Sequence, residues 1–372
     1  MLRILFVDDD PDILESLETL LWLYRAQWRA DFACSGSDAI DLMNQQSFDI
    51  IVSDLRMPAM DGREVLAWAM RERPTMVRVI LSGQASLVTA VRSLAVTHRF
   101  MSKPCRAGSL RHLLEQVSQL LELLPDTGVC AALGKLGGLP ASLRMFEALA
   151  EGIKDSRVDL DQIADLVESD VAVAAKVLQV ASTPYFGFDR PAICIREAVK
   201  SLGFQVVADT LLAVELMSPV AGPGPEGHRL NAMLRHARAT AVMARQLVAD
   251  PAQAPAAYTA GLLHSIGNIA LEHLGMPEAR DPGSAASAYL LGLWGIAPTL
   301  IDGIVSSDDP KEPSGESPGI AEALHVARYL AWASVTPSLP APPVRESLLE
   351  RMQPVISAKS LVETSAVEVL AV

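Results

Sequence analysis

The sequence is poor in basic residues, in cysteine and in long apolar runs, and each shortage removes a class of function. Its 31 Lys and Arg stand against 44 Asp and Glu, for a formal net charge of −13. Nucleic acid demands clustered cations, so direct DNA binding is not expected. The four cysteines, Cys34, Cys105, Cys130 and Cys194, lie far apart without a CxxC pair. That pattern favours reduced thiols over a zinc site or a structural disulfide. No stretch reaches the apolar length of a membrane span, and the opening MLRILFVDDD turns acidic at once, unlike a secretory leader. A cytoplasmic chain without a membrane partner is expected.

What is present is apolar sequence with a changing period. Half of the 372 residues are hydrophobic and a fifth are charged, enough for two or three domains. In Phe48 to Gly62, FDIIVSDLRMPAMDG, a short apolar run ends at Ser53 and Asp54 and leads into turn residues. Such a run reads as a buried strand, and a polar residue at its carboxyl end stands where open α/β sheets hold ligands. The pattern recurs. Leu2 to Val7, Arg29 to Cys34, Val77 to Leu81 and Arg99 to Ser102 read as further strands. Helical patterns occupy Pro11 to Leu21, Ser37 to Gln45, Arg63 to Arg71 and Ser86 to Leu94, and a fifth helix begins near Ser109. Five strands alternating with five helices predict a parallel sheet covered on both faces.

Asp8, Asp9, Asp54, Ser82 and Lys103 each follow the last apolar residue of a strand, which brings them to one edge of that sheet. Three carboxylates at one edge repel unless a hard cation joins them, and Mg²⁺ suits carboxylate, carbonyl and water oxygens. A hydroxyl at Ser82 and an ammonium at Lys103 supply the groups needed to hold a phosphoryl transferred to Asp54.

With VDDDP, SDLRMPAMDG, ILSG and MSKP in this order, the first third of the chain resembles the receiver domain of two-component response regulators. The resemblance implies a flavodoxin-like α/β fold over residues 1–124 and a cognate sensor histidine kinase as phosphoryl donor. It further implies Mg²⁺ on Asp8, Asp9, Asp54 and the Arg56 backbone carbonyl, phosphorylation of Asp54, phosphoryl contacts from Ser82 and Lys103, and an aromatic switch at Phe100.

From Ser109, a candidate N-cap, Leu110, Leu113, Val117, Leu120 and Leu124 form a heptad-like seam that Pro125 stops. Residues 109–124 thus read as a connector helix whose second half either pairs with another copy of the chain, making a homodimer, or docks on the next domain. Beyond it the helical period takes over, and an all-α domain is expected over 129–336. Its LP-containing start, the helix after ESD, and AVKSLG resemble the HDOD domain, a helical relative of the HD phosphohydrolases. Ala181-Ser182 stands where that family has Asn-Ser. HD enzymes need a His-Asp pair to hold a divalent metal that activates water. Here the pair is His264-Ser265, the upstream histidine is His236, Gly283 stands where a further histidine can occur, and Ser306, Ser307 and Asp308 fill the later positions.

His236, His264 and Ser265 are therefore expected to be structural remnants, with no cofactor in this domain. His325 is expected to be a core residue. The tail, 337–372, starts with a proline cluster and reads as weakly helical over Val344 to Met352 and Ser357 to Leu370. The resulting expectation is a phosphorylation-controlled regulator whose non-catalytic helical domain acts on a downstream protein by contact. The rival is a receiver-regulated metal phosphohydrolase or cyclic-dinucleotide phosphodiesterase.

Overall fold

In the computed structural model, which describes residues 1–83, 91, 93–139, 159–183, 192–217, 225–280, 283–311 and 318–358, the first apolar runs form a five-stranded sheet. Strands β1 (Leu2–Val7), β2 (Trp28–Ala33), β3 (Ile50–Asp54), β4 (Val77–Ser82) and β5 (Arg99–Ser102) are all parallel, in the order β2-β1-β3-β4-β5. Every residue of β3 and β4 is buried, which is why both read as near-continuous apolar runs rather than alternating ones. The β2 strand starts one residue before the expected Arg29 because Trp28 is buried and pairs with Leu2. Register then fixes the edge that matters. Val7 lies opposite Ser53, Asp54 opposite Leu81, and Ser82 opposite Ser102, so the four strands end within about two residues of one another.

Local signals set the helices on this sheet. Helix α1 (Pro11–Leu21) opens with proline behind the Asp10 cap, and α2 (Gly36–Gln45) is capped by Ser35. Helix α3 (Gly62–Glu72) starts from a reciprocal capping box between Asp61 and Glu64. The helix expected at Ser86 to Leu94 lies largely outside the described residues. Helix α4 (Ala107–Leu123) begins two residues before Ser109, which is not its cap: Arg106 holds that position without a side-chain bond. Leu110, Leu113, Leu114, Val117 and Leu120 are buried, whereas Leu124 has left the helix in an extended conformation.

The chain divides into two compact units, the first built chiefly on Met1–Gly137. It includes one more helix, α5 (Thr127–Gly134), capped by Asp126, so the expected boundary at 129 falls inside a helix that packs with the sheet. Arg78, fully buried in β4, explains the docking: its guanidinium donates to the carbonyls of Val96 and Gly134, both at 2.7 Å. At Gly134 a β-carbon would stand 1.9 Å from the Pro74 carbonyl oxygen.

Among its described residues the second unit has helices joined by turns and loops, and no strand. Helices α6 (Leu160–Glu168) and α7 (Val171–Ala181) precede α8 (Ile195–Met217), which is two helices joined at Gly203 with φ 73°. Ala181 is the last residue of α7, with Ser182 in the turn after it. Helix α9 (Pro225–Leu247) begins inside the expected Pro219 to Gly227 loop, of which 219–224 lie outside the described residues. It packs against α10 (Ala254–Leu263), which precedes α11 (Ile266–His273), and against α14 (Ile320–Val335). Helices α12 (Ala285–Leu293) and α13 (Pro298–Ser306) lie between α11 and α14 in the chain.

In the tail, α15 (Glu346–Ala358) covers the first of the two stretches expected to be helical, and 359–372 lie outside the described residues. Among the described residues no helix is long and apolar enough to cross a membrane.

Candidate functional site

At the carboxyl edge of the sheet, Asp8 and Asp54 are both buried, at 1% and 7% exposure, and they share one cation. The Lys103 ammonium lies 2.6 Å from Asp8 Oδ2 and 2.5 Å from Asp54 Oδ1. The other oxygens have backbone partners: Asp8 Oδ1 accepts the Asp10 N–H at 3.1 Å, and Asp54 Oδ2 accepts the Arg56 N–H at 2.7 Å. Burial pushes the Asp8 carboxyl up, with the Lys103 bond opposing it. Burial pulls Lys103 down, but its hydrogen bonds to Asp54 and Asp8 prevail and leave it raised, a firm cation. Ser82 ends β4 beside it, and its carbonyl accepts the Lys103 N–H at 2.9 Å. Phe100 is buried one strand over, opposite Ile80.

Of the expected residues the edge thus gathers Asp8, Asp54, Ser82 and Lys103, while Asp9 is exposed and lines, with Arg56, Met57 and Arg63, an adjoining cavity of about 500 Å³. Two groups add to the site without a local sequence signal. Gly62, a loop former by its sequence context, is the first residue of α3, and a β-carbon there would meet the Asp54 carbonyl oxygen at 1.9 Å. Ser53 donates to that same carbonyl at 2.9 Å. The backbone behind Asp54 is therefore fixed from two sides.

Among the described residues no three His, Cys, Asp or Glu side chains converge into a metal cage. Mg²⁺ does not require one, since it takes one or two carboxylates and keeps several waters. The donor set fits: two buried carboxylates bridged by Lys103, an exposed third at Asp9, and Arg56 in the lining of the adjoining cavity.

In the second unit, His264 and Ser265 form the break between α10 and α11. Helices α9 and α10 meet closely there, since a β-carbon on Gly261 would lie 2.6 Å from the Ala241 Cα. His264 Nδ1 donates to the Gly261 carbonyl at 2.7 Å, and its ring meets that of His236 edge to face at 5.5 Å between centroids. His236 Nδ1 is 3.1 Å from Thr336 Oγ1. Burial, reinforced by the Arg328 charge, lowers His236 to about 4 and His264 well below its usual value, so both rings are neutral at pH 7.

His325 is buried with both nitrogens bonded, Nδ1 to the Ser307 carbonyl at 2.7 Å and Nε2 to the Arg345 N–H at 2.9 Å. Asp308 accepts the Ser284 N–H and hydroxyl and the Arg328 guanidinium, each at 2.7 Å. No local pattern singles out Arg328, whose partner arrives from another segment.

Comparison with known proteins accounts for both halves. Residues 4–115 match the response regulator receiver domain and residues 139–308 match the HDOD domain. The chain is similar to the response regulator protein PilR of Pseudomonas aeruginosa, 30% identical over 119 residues that cover 32% of this chain and 26% of PilR. It is similar to the transcriptional regulatory protein GlrR of Escherichia coli K12, 31% identical over 114 residues, 30% of this chain and 25% of that one. The chain thus spans about a quarter of the length of these relatives. Among solved structures it is similar to the MmoQ response regulator of Methylococcus capsulatus, with a TM-score of 0.46 and 21% identity over 60% of this chain and 97% of that one.

Proposed function

We propose, for a chain that joins a response regulator receiver domain to an HDOD domain, that a phosphoryl group on Asp54 controls the helical domain, which acts by contact with another protein. The observation that carries this reading is the Asp8–Lys103–Asp54 cluster at one sheet edge. Asp54 is the nucleophile. Its carboxylate oxygen attacks the phosphorus of a histidine kinase's phosphohistidine, so that the phosphorus–nitrogen bond breaks as the acyl phosphate forms. Lys103 turns from bridging two carboxylates to holding a phosphoryl oxygen, and Ser82 donates to another. Mg²⁺, held by Asp8, Asp9, Asp54 and the Arg56 carbonyl, would neutralise the charge gathered there. Phe100, buried beside Ser82's strand, follows the rearrangement.

For the helical domain, Ser265 supports a non-catalytic role, because a hydroxyl does not supply the anionic ligand that His-Asp chemistry needs. Helix α4 leads out of the receiver sheet and is the element through which the state of Asp54 is passed on. The test is labelling with acetyl phosphate and Mg²⁺, read as a gel-mobility shift. The native chain incorporates one phosphoryl group and Asp54→Asn incorporates none. Equal labelling of the two overturns the assignment.

A further inference from the structure

A cavity of about 450 Å³ opens in the helical domain around His236 and His264. That is the size of a small-molecule site. One wall is apolar, formed by Met233, Leu339, Pro340 and Pro342. The proline strap supplying most of it is tied down: the Leu339 carbonyl accepts the Trp332 indole N–H at 2.8 Å, and the Arg345 N–H is held by His325. A lip fixed at both ends makes this a preformed cavity rather than a surface dent.

The rest of the lining is largely polar. Arg280 and Arg328 both line the cavity, and each guanidinium is gripped by a carboxylate outside the lining, Arg280 by Glu272 at 3.2 Å and Arg328 by Asp308 at 2.7 Å. Such pairing sets their direction before any ligand arrives. Among the described residues Glu278 is the one carboxylate in the lining, beside two guanidinium groups. His264, only 4% exposed, belongs to the same lining. Its Nδ1 proton is committed to the Gly261 carbonyl, which leaves Nε2 as a lone pair without a hydrogen bond among the described residues. A ring nitrogen with a free lone pair in a cavity lining is an acceptor for a donor on a bound molecule. A metal is a poor candidate, since among the described residues the two histidines have no third side-chain ligand and fall short of any common site.

We propose that this cavity binds a small organic anion with an apolar body and an N–H or O–H group. The anion pairs with Arg280 and Arg328, the body lies on the Met233 and proline wall, and the donor bonds His264 Nε2. The helical domain then has a small-molecule input of its own, independent of Asp54.

The probe is 4-hydroxybenzoate, which carries all three features, titrated into the full chain while the histidine ring resonances are followed by NMR. Saturable shifts of His264 and His236 are expected. Benzoate, lacking the donor, and 4-hydroxybenzyl alcohol, lacking the charge, should each bind about tenfold more weakly, as should the probe to Arg280→Ala, the loss of one charge-assisted bond. Ala341 lies at the exposed lip, so Ala341→Trp fills the mouth without touching the core and should abolish the shifts with unchanged thermal unfolding. The proposal is overturned if the shifts do not saturate at millimolar probe, if Ala341→Trp leaves them intact, or if inorganic phosphate reproduces them with equal affinity.

Discussion

Gly62 stands so close to Asp54 that a β-carbon on it would lie 1.9 Å from the Asp54 carbonyl oxygen. That contact is with backbone, which does not swing aside. Gly62→Ala should therefore push the end of β3 out of line, at a cost of about 1–3 kcal/mol for forcing extra volume into a packed site. Acetyl phosphate labelling should slow while circular dichroism still reports a folded sheet. Native labelling in that variant would show that the two segments can separate freely.

Lys103 competes with any divalent cation, because it fills the space between Asp8 and Asp54. Removing it as Lys103→Ala leaves two buried carboxylates without a counter-charge. Mg²⁺ affinity, measured by tryptophan fluorescence, should rise on the order of tenfold, one charge-assisted bond's worth. Phosphorylation should persist with a weaker downstream response. A fall in Mg²⁺ affinity would mean that Lys103 helps to build the metal site instead of blocking it.

The helical domain should lose stability as the pH falls below 6.5. His236, His264, His273 and His325 are all lowered by burial. Each takes up its proton at a lower pH in the folded chain than in the unfolded chain, so the unfolded state binds more protons below pH 6.5 and stability falls as pH falls. The loss runs from 6.5 down to about 4 for His236, and for that residue alone it amounts to about 3 kcal/mol. Urea midpoints at pH 7, 5.5 and 4.5 should step downward, and His236→Asn should flatten the trend. A midpoint independent of pH over that range contradicts the burial of these rings.

Gly134→Ala tests the docking of α5. The added methyl group meets the Pro74 carbonyl, and the helix has to move off Arg78. Undocking leaves a buried guanidinium short of a partner, so thermal unfolding of the receiver should fall by several degrees, with faster hydrogen exchange over Thr127–Gly134. Unchanged exchange there would show that the helix holds by other contacts.

Much of this fold is legible in the residues because strand and helix periods are local. Asp54, Ser82 and Lys103 can be placed at strand ends from apolar runs alone, and the sheet then sets them side by side. What escapes depends on distance across the fold. Gly62 reads as loop punctuation because its crowding comes from β3, which the helix start has to approach. Ser109 reads as a cap, yet the helix has already begun at Ala107. Arg78 sits in VRVIL as a charge out of place, and nothing near it announces a partner 56 residues away. The cavity is hidden for the same reason: the two histidines stand out, but Arg280, Arg328 and the proline strap come from separate segments that only folding brings together.

The bond from Arg78 to Gly134 also decides where this receiver can be cut and transplanted. A module ended at Leu124 would carry away an arginine buried for a helix left behind, and would serve as a poor donor for chimeric regulators. One ended after Gly137 takes that extra helix with it. Exchange of receivers between such proteins therefore has its seam beyond the connector, where Arg78 and the helix it holds travel together.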